Sequence, residues 1–356
     1  MKKKSLSAKK IIHNSFDYKK ILKDRKIFKI FRNFEKNLNK LNVANKVAIS
    51  VSGGPDSMAL CFLVCNYKSK INNKLQTYFY LVDHGLRMES AIEAKNVQKQ
   101  LKLKKIKLKI LKWKGKKPTS NQQSLSRQKR YELIFDECKK HNIKTVLTAH
   151  HIDDLYETFF SRLLRGSGTE GLSSFTNISK KFIFRQNSFI IARPLLNIKK
   201  KDLIYLSQKV FNFYLNDPSN EMDKFQRVRL RKLILNLKNQ GLDFRKLSLS
   251  LNNLASTNET INEIVEKNII DNVIFKKNKF LIRSEFFFFP QEIIFRSLSR
   301  LIKKITKNYY PPRGKKLIYL INQLKIKDRL KATLGGTIIE KIQNTVIVSE
   351  EKTKNR

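Results

Sequence analysis

The segment VAISVSGGPDS, residues 47–57, decides how this chain folds. Its first five residues are mostly apolar and β-branched, which is typical of a buried strand. Two glycines and a proline follow, and they predict a tight turn that leads into a helix beginning near Ser57. A buried strand, a glycine-rich turn and a helix, in this order, indicate a βαβ unit and therefore a parallel sheet.

The alternation of strands and helices continues to about residue 165. Apolar and β-branched runs predict strands at 77–82, 106–113 and 144–148, and helical periodicity predicts helices at 91–101, 121–141 and 153–165. We therefore predict an α/β fold with a doubly wound, mostly parallel sheet. Ligands bind at the carboxyl ends of the strands in such sheets, so the loops after Val51, Val82 and Thr148 are the candidate functional loops.

The chain is predicted to have three parts. Residues 1–22 form a basic leader, residues 23–240 form the α/β domain, and residues 241–356 form a smaller C-terminal α+β domain. In the C-terminal part, helices are predicted at 246–270 and 291–307, and short strands in FLIRSEFFFFP and GGTIIEKIQNTVIVSEE. The four phenylalanines Phe286–Phe289 are interpreted as a core strand in preference to a base-stacking surface.

Composition restricts the class of protein. The chain carries 75 Lys and Arg against 29 Asp and Glu, a net charge of +46. This charge favours a nucleic-acid partner, although a general enrichment in lysine also contributes to it. Three cysteines are too few for a disulfide-stapled secreted domain, and no apolar run is long enough to span a bilayer. We therefore expect a cytoplasmic protein without a membrane partner.

The first candidate loop is Ser52-Gly53-Gly54-Pro55-Asp56-Ser57. Free N–H groups at a helix start, together with two serine hydroxyls, form a nest for a phosphate group. No lysine follows in the spacing of the kinase-type phosphate loop, so a different phosphate site is predicted. The simpler alternative is a turn in which Asp56 or a serine caps the helix.

The other two loops carry further polar clusters. Asp83 and His84 follow the second strand, where a capped turn explains them equally well. The fourth strand is followed by HHIDDLYET, residues 150–158, whose acidic residues share one helix face or simply favour the helix dipole. His150 and His151 lack a third soft ligand at zinc-like spacing, and acidic oxygens favour Mg²⁺.

Together these motifs resemble those of the PP-loop enzymes, the N-type ATP pyrophosphatases. SGGPDS is similar to their signature, and HHIDDLYET followed by RLLRGSGTEGL is similar to the tRNA(Ile)-lysidine synthetases within that group. Four further stretches agree with this family, namely VDHGLR at 82–87, SRQKRY at 126–131, the ARPLL strand at 192–196, and DPSN at 217–220 with Arg227, Arg229 and Arg231 after it. The resemblance is dense from about residue 45 to residue 232.

The resemblance implies a Rossmann-like PP-loop ATPase domain and a two-step ligation. ATP, with Mg²⁺, adenylates the 2-carbonyl oxygen of the wobble cytidine in tRNA(Ile) with a CAU anticodon, and pyrophosphate is released. The amine of free L-lysine then attacks the same carbon and expels AMP, which gives lysidine. The C-terminal domain is expected to bind the tRNA, and related enzymes suggest a homodimer.

The resemblance also implies roles for individual residues. Ser52, Gly53, Gly54, Pro55, Asp56 and Ser57 are expected to bind ATP and its pyrophosphate, and Asp56 is also the expected catalytic residue and Mg²⁺ ligand. Arg130, Asp154 and Glu157 are expected to be catalytic, with the two carboxylates binding the lysine amine. The residues expected to position lysine, nucleotide or tRNA are Asp83, His84, His150, His151, Asp153, Asn220 and Arg231. Taken alone, each of these arginines is more often a solvated or tRNA-backbone residue.

Three other functions are compatible with parts of the sequence. A PP-loop thiolation enzyme needs reactive cysteines, but Cys61 and Cys65 lie in an apolar helical run that favours inert, buried thiols. An amidotransferase-coupled synthetase needs a glutaminase constellation, which the sequence lacks. The third is a non-catalytic RNA-binding protein with a decayed ATP site. The intact polar residues after all three strands argue against it, because a decayed site would have lost some of them.

Overall fold

A computed structural model of the chain describes residues 18–115, 122–185, 187–215, 226–276, 279–306, 312 and 314–351. The chain divides into two compact units, Met1–Leu251 and Asn252–Arg356. Most of the predicted leader lies outside the described residues, which begin with the short helix α1 (Tyr18–Ile21). None of the helices in the described part of the chain has the length and apolarity needed to cross a bilayer.

The first unit alternates strands and helices, as predicted. Its described strands are β1 (Lys46–Val51), β2 (Gln76–Asp83), β3 (Leu108–Lys112), β4 (Thr145–Leu147), β5 (Ser179–Phe184) and β6 (Asn187–Ala192). Its described helices after α1 are α2 (Arg25–Lys40), α3 (Pro55–Lys70), α4 (Ser90–Leu103), α5 (Gln122–Lys140), α6 (Ile152–Leu163), α7 (Thr169–Ser173), α8 (Lys200–Phe211) and α9 (Gln226–Asn239). Helix α10 (Phe244–Asn272) runs from this unit into the second.

The sheet of the first unit has the strand order β3-β2-β1-β4-β6-β5. All neighbouring pairs are parallel except β5 with β6. This confirms the predicted doubly wound, mostly parallel sheet. Val47 of β1 pairs with Thr77 on one side and Thr145 on the other, so the chain order reverses at β1. The loops after β1 and β4 therefore emerge side by side, at the switch point where such sheets bind ligands.

Helix α3 fixes the position of the turn that precedes it. Every residue from Met58 to Val64 is fully buried, and α3 packs against α8 and β1. A helix buried on all sides cannot slide or rotate without opening the core, because protein interiors are close-packed. The glycine turn at its start is therefore held in one place relative to the end of β1.

Two predicted strands differ from the structure. The resemblance predicts a strand in the ARPLL segment, but β6 ends at Ala192 and residues 194–197 form a turn. Phe286–Phe289 do not form a strand either, because a 3-10 helix covers Ser284–Phe288. Phe286 is fully buried there, whereas Phe288 is 79% exposed, since neighbouring residues of such a helix point in different directions.

The second unit is built on an antiparallel sheet. Its described strands are β7 (Val273–Lys276), β8 (Lys279–Ile282), β9 (Arg329–Leu334), β10 (Thr337–Ile342) and β11 (Thr345–Glu350), in the order β7-β8-β11-β10-β9. Helices α11 (Gln291–Thr306) and α12 (Gly314–Ile326) cover the sheet and share its core, which includes Phe280, Phe286 and Leu298.

Replacing Gly53 by alanine is expected to destabilise the protein by about 2–4 kcal/mol. Gly53 has φ +84°, and an added Cβ would lie 2.6 Å from Val97 Cγ2 and 2.7 Å from Leu215 Cδ1. The matched control is Gly166→Ala, since Gly166 has φ +67° but no heavy atom within 4 Å of its Cβ position. Urea unfolding of both variants separates the backbone cost from the packing cost. Equal losses of stability would contradict the packing argument.

Candidate active site

The loop between β1 and α3 wraps around the hydroxyl of Ser57. Ser57 Oγ accepts hydrogen bonds from the backbone N–H groups of Ser52 and Gly53, both at 3.1 Å, and donates to the carbonyl of Gly54 at 3.0 Å. Ser52 Oγ lies 3.1 Å from the same oxygen. The loop thus gathers several donors and two hydroxyls within one turn of chain.

The start of α3 is open to an anion. Gly54 is the N-cap, no side chain caps the helix, and Pro55 occupies the first turn. The first N–H groups of a helix have no partner within the helix and carry a partial positive charge. Because this uncapped helix start lies next to the hydroxyls of Ser52 and Ser57, the loop has the properties of a phosphate site.

Asp56 and His151 join this loop to the loop after β4. Asp56 Oδ2 lies 3.5 Å from His151 Nε2, which is an ion-pair distance. The other carboxylate oxygen of Asp56 is buried and accepts no hydrogen bond from any described residue. A buried carboxylate oxygen without a donor is suited to a hard cation such as Mg²⁺.

His151 also begins helix α6. Its ring Nδ1 accepts a hydrogen bond from the backbone N–H of Asp154 at 3.4 Å. The backbone N–H of His151 donates to Asp154 Oδ2 at 3.1 Å, and the two bonds together form a capping box. Burial of His151 disfavours the charged imidazole, but the contact with Asp56 and the charges of Asp154, Asp56 and Asp153 outweigh it and raise the pKa of His151. The imidazole is therefore held by acidic groups on both sides.

Glu157 lies one turn further along α6 and pairs with Arg231 of α9. Arg231 Nε donates to Glu157 Oε1 at 2.6 Å. The Glu157 side chain is 9% exposed, whereas that of Asp154 is 23% exposed. The two carboxylates that the sequence grouped together therefore differ, because one is neutralised by a guanidinium and the other is more open to solvent.

Asp153 and Asp83 accept hydrogen bonds from backbone N–H groups. Asp153 Oδ2 accepts a hydrogen bond from the N–H of Lys200 at 2.8 Å and so caps the start of α8. Asp83 Oδ1 accepts from the N–H of Gly85 at 3.0 Å, which closes the turn after β2. Both carboxylates therefore stabilise backbone segments that follow or precede the elements of the site.

The two remaining predicted histidines contact aromatic rings. His150 Nδ1 lies 2.8 Å from Thr148 Oγ1, and its ring meets Phe175 edge-on with centroids 5.2 Å apart. His84 meets Trp113 edge-on at 6.0 Å. Both histidines are thus fixed in orientation at the ends of β4 and β2.

Two further predicted residues are Arg130 and Asn220. Arg130 is half-buried in α5, and Asn220 lies outside the described residues. Across the described ranges, no group of three His, Cys, Asp or Glu side chains has the arrangement of a metal site. A magnesium ion here would therefore need Asp56 together with oxygen ligands from a substrate.

Arg193 belongs to the ARPLL motif but is not among the predicted site residues. Arg193 follows the end of β6 and is 5% exposed. Its guanidinium lies over the ring of Phe175, 4.1 Å from the centroid, and Nη1 donates to the carbonyl of Asn177 at 3.1 Å. An arginine directly after a strand of a parallel sheet was the signal that could have identified it.

The cysteines do not form a reactive centre. Cys61 and Cys138 are buried, and Cys65 is half-buried. Burial raises the pKa of the Cys61 thiol, and burial with the nearby Glu137 raises that of Cys138 to about 12. Both thiols therefore stay protonated at neutral pH, where a nucleophilic cysteine needs to be a thiolate.

Comparison with known proteins identifies the family of the chain. The family model described as the PP-loop domain matches residues 25–238. The tRNA(Ile)-lysidine synthase of Wolbachia pipientis wMel is 34% identical over 323 residues, which cover 87% of this chain and 72% of that protein. The enzyme of the same name from Orientia tsutsugamushi is 34% identical over 319 residues, covering 86% of this chain and 70% of that protein.

A solved structure shares the fold. The U34-tRNA thiolase NcsA from Methanococcus maripaludis matches with a TM-score of 0.53 at 18% identity, covering 68% of this chain and 80% of that chain. The family expected from the sequence motifs is confirmed by the sequence relatives, and the chain belongs to the tRNA(Ile)-lysidine synthase family of PP-loop proteins.

Proposed function

We propose that this chain uses ATP to join free L-lysine to carbon 2 of the wobble cytidine in tRNA(Ile) with a CAU anticodon. The products are lysidine in the tRNA, AMP and pyrophosphate. The observation that carries this proposal is the contact between Asp56 and His151, because it brings the phosphate-type loop and the acidic helix α6 together at the switch point of the sheet.

The first step is assigned to the loop Ser52–Ser57. The start of α3 binds the pyrophosphate part of ATP, because its first N–H groups carry no side-chain cap and face phosphate oxygens beside the hydroxyls of Ser52 and Ser57. Asp56 would hold Mg²⁺ through its unbonded oxygen, and the ion would neutralise phosphate charge as the cytidine oxygen becomes adenylated. His151 orients the Asp56 carboxylate through its other oxygen.

The second step is assigned to α6. Asp154 binds the lysine amine and takes its proton, because this carboxylate is the more open of the two and Glu157 is already paired with Arg231. The amine nitrogen forms a bond to carbon 2 of the cytosine, and the bond from that carbon to the AMP oxygen breaks. Arg130 and Asn220 are proposed to contact the lysine, the nucleotide or the tRNA.

Residues 241–356 are proposed to bind the tRNA, while residues 23–240 carry out the chemistry. The net charge of +46 supports a polyanionic substrate. The proposal also includes a cytoplasmic location, which agrees with three cysteines outside disulfides, and a homodimer, which the family resemblance implies. Size-exclusion chromatography with light scattering measures the oligomeric state directly.

Replacing Asp154 by asparagine is expected to lower lysine incorporation by about 10²–10⁴-fold, because the amide cannot accept the amine proton. Purified protein is mixed with ATP, Mg²⁺, radiolabelled L-lysine and unmodified tRNA(Ile) with a CAU anticodon, and acid-precipitable label is counted. The matched control is Asp136→Asn, since Asp136 is a surface carboxylate that pairs with Arg185 at 2.9 Å. A methionine tRNA with the same anticodon tests the choice of tRNA.

The outcomes of this assay separate the candidate functions. Label on the isoleucine tRNA alone, lost in Asp154→Asn and kept in Asp136→Asn, is the result that the proposal requires. Pyrophosphate release without label would retain the ATP chemistry and exclude lysine as the nucleophile. Tight tRNA binding with neither signal would favour a non-catalytic RNA-binding protein.

Alkylation of the cysteines is expected to leave lysine incorporation intact. Cys61 and Cys138 are buried with raised pKa values, so iodoacetamide should modify them at least about tenfold more slowly in native protein than in urea. Peptide mass spectrometry measures the modification, and a Cys65→Ala variant controls for the half-buried thiol. Loss of tRNA modification in step with alkylation of Cys61 or Cys138 would instead support thiolation chemistry.

A further inference from the structure

Arg193 follows the carboxyl end of β6, beside the end of β4. The N–H of Thr148 donates to the carbonyl of Ala192 at 2.8 Å, so the end of β4 and the residue before Arg193 are directly bonded. The chain that follows β4 carries His150 and His151. Phe175 contacts both His150 and the guanidinium of Arg193, which connects this arginine to the site through one ring.

The charge of Arg193 is poorly compensated by the described residues. Its side chain makes no ion pair with any carboxylate in the described ranges, and one hydrogen bond, to the Asn177 carbonyl, is present. The Nε atom is buried and has no hydrogen-bond partner among the described residues. The hydroxyl of Ser174, next to Phe175 in the chain, is also buried and also has no hydrogen-bond partner among the described residues. Buried charged groups in proteins are normally paired, because an unsatisfied donor loses its hydration without compensation.

The surroundings of Arg193 are positively charged. Arg127 and Arg162 both act on the charge of Arg193. Burial and the charges of Arg127 and Arg162 lower the pKa of Arg193 to about 10, although Tyr131 and Asp154 act in the opposite direction. Arg193 is still charged at neutral pH, and a bound anion would relieve the repulsion between these cations.

We infer that Arg193 forms the centre of a buried oxyanion site, in which its guanidinium binds a carboxylate or a phosphate group of a substrate. A planar guanidinium with an unbonded Nε can offer two parallel N–H donors to such a group. The oxyanion comes either from the carboxylate of the free amino acid or from a phosphate of the tRNA or ATP. The identity of these substrates rests on the proposed function, whereas the site itself rests on the geometry of Arg193.

The test uses the full chain with Arg193→Met and Arg193→Lys. Loss of a charge-assisted pair is expected to raise the KM of one substrate by about 10- to 100-fold in Arg193→Met, with a smaller rise in Arg193→Lys, which keeps the charge but not the fork. KM and kcat are measured for lysine, tRNA and ATP in turn. The matched control is Arg185→Met, since Arg185 is an exposed arginine between the strands of the same hairpin.

Cadaverine, which is lysine without its carboxylate, identifies the source of the oxyanion. If Arg193 binds the carboxylate, the wild-type protein prefers lysine to cadaverine and Arg193→Met loses that preference. If Arg193 binds a phosphate, the preference is unchanged and the KM of tRNA or ATP rises instead. Either result supports the oxyanion site.

Other results overturn the inference. A fall in kcat with all three KM values within about twofold of wild type would give Arg193 a structural or positioning role only. Equal rises in all three KM values together with a lower Tm would also show that Arg193 has only a structural role. If Arg193→Met does not fold, Arg193→Lys decides between these outcomes. If the wild-type protein releases pyrophosphate or binds tRNA without using lysine, the proposed function fails. The KM values of ATP and tRNA in the Arg193 variants then still test whether Arg193 binds an oxyanion.

Discussion

The contact between Asp56 and His151 is the interaction on which the site depends. Asp56 belongs to the helix that follows β1, and His151 caps the helix that follows β4, so one side-chain contact joins two loops that the sheet places side by side. His151 is buried and bonded to Asp154 on its other side. A shift of either helix would therefore disturb the phosphate-type loop and the acidic face of α6 together.

The residues around the start of α6 are mainly acidic, whereas the chain as a whole carries a large positive charge. A net charge of +46 attracts polyanions from all directions, yet Asp56, Asp153, Asp154 and Glu157 are concentrated around the start of α6. Long-range attraction follows net charge, whereas contact at short range follows the nearest groups. The chain as a whole thus favours a nucleic acid, while this pocket of carboxylates favours a cation such as an amine or a metal ion.

Local pattern explains which parts of the site could be predicted. The glycine turn, the helix start and the polar residues after β1, β2 and β4 depend on neighbouring residues, and the sequence identified them. The bond from Lys200 to Asp153 and the pair of Arg231 with Glu157 join residues 47 and 74 positions apart, which no local periodicity reveals. The same limit explains the 3-10 helix at Phe286, because apolar runs predict burial better than backbone conformation.

Some of the buried charged groups around the site have a partner of opposite charge within the chain, and others do not. Those without one indicate which charges a substrate can supply. Glu157 has Arg231, whereas the carboxylates of Asp56 and Asp154 share the single imidazole of His151, so part of their negative charge is left uncompensated. Arg193 has no carboxylate partner in the described ranges and sits among other arginines. Because desolvating an uncompensated charge opposes folding, a protein that keeps such a residue at the edge of its site gains from it when a substrate binds. An amino acid with an amine and a carboxylate, or a nucleotide beside an amine, supplies both charges that this arrangement leaves open.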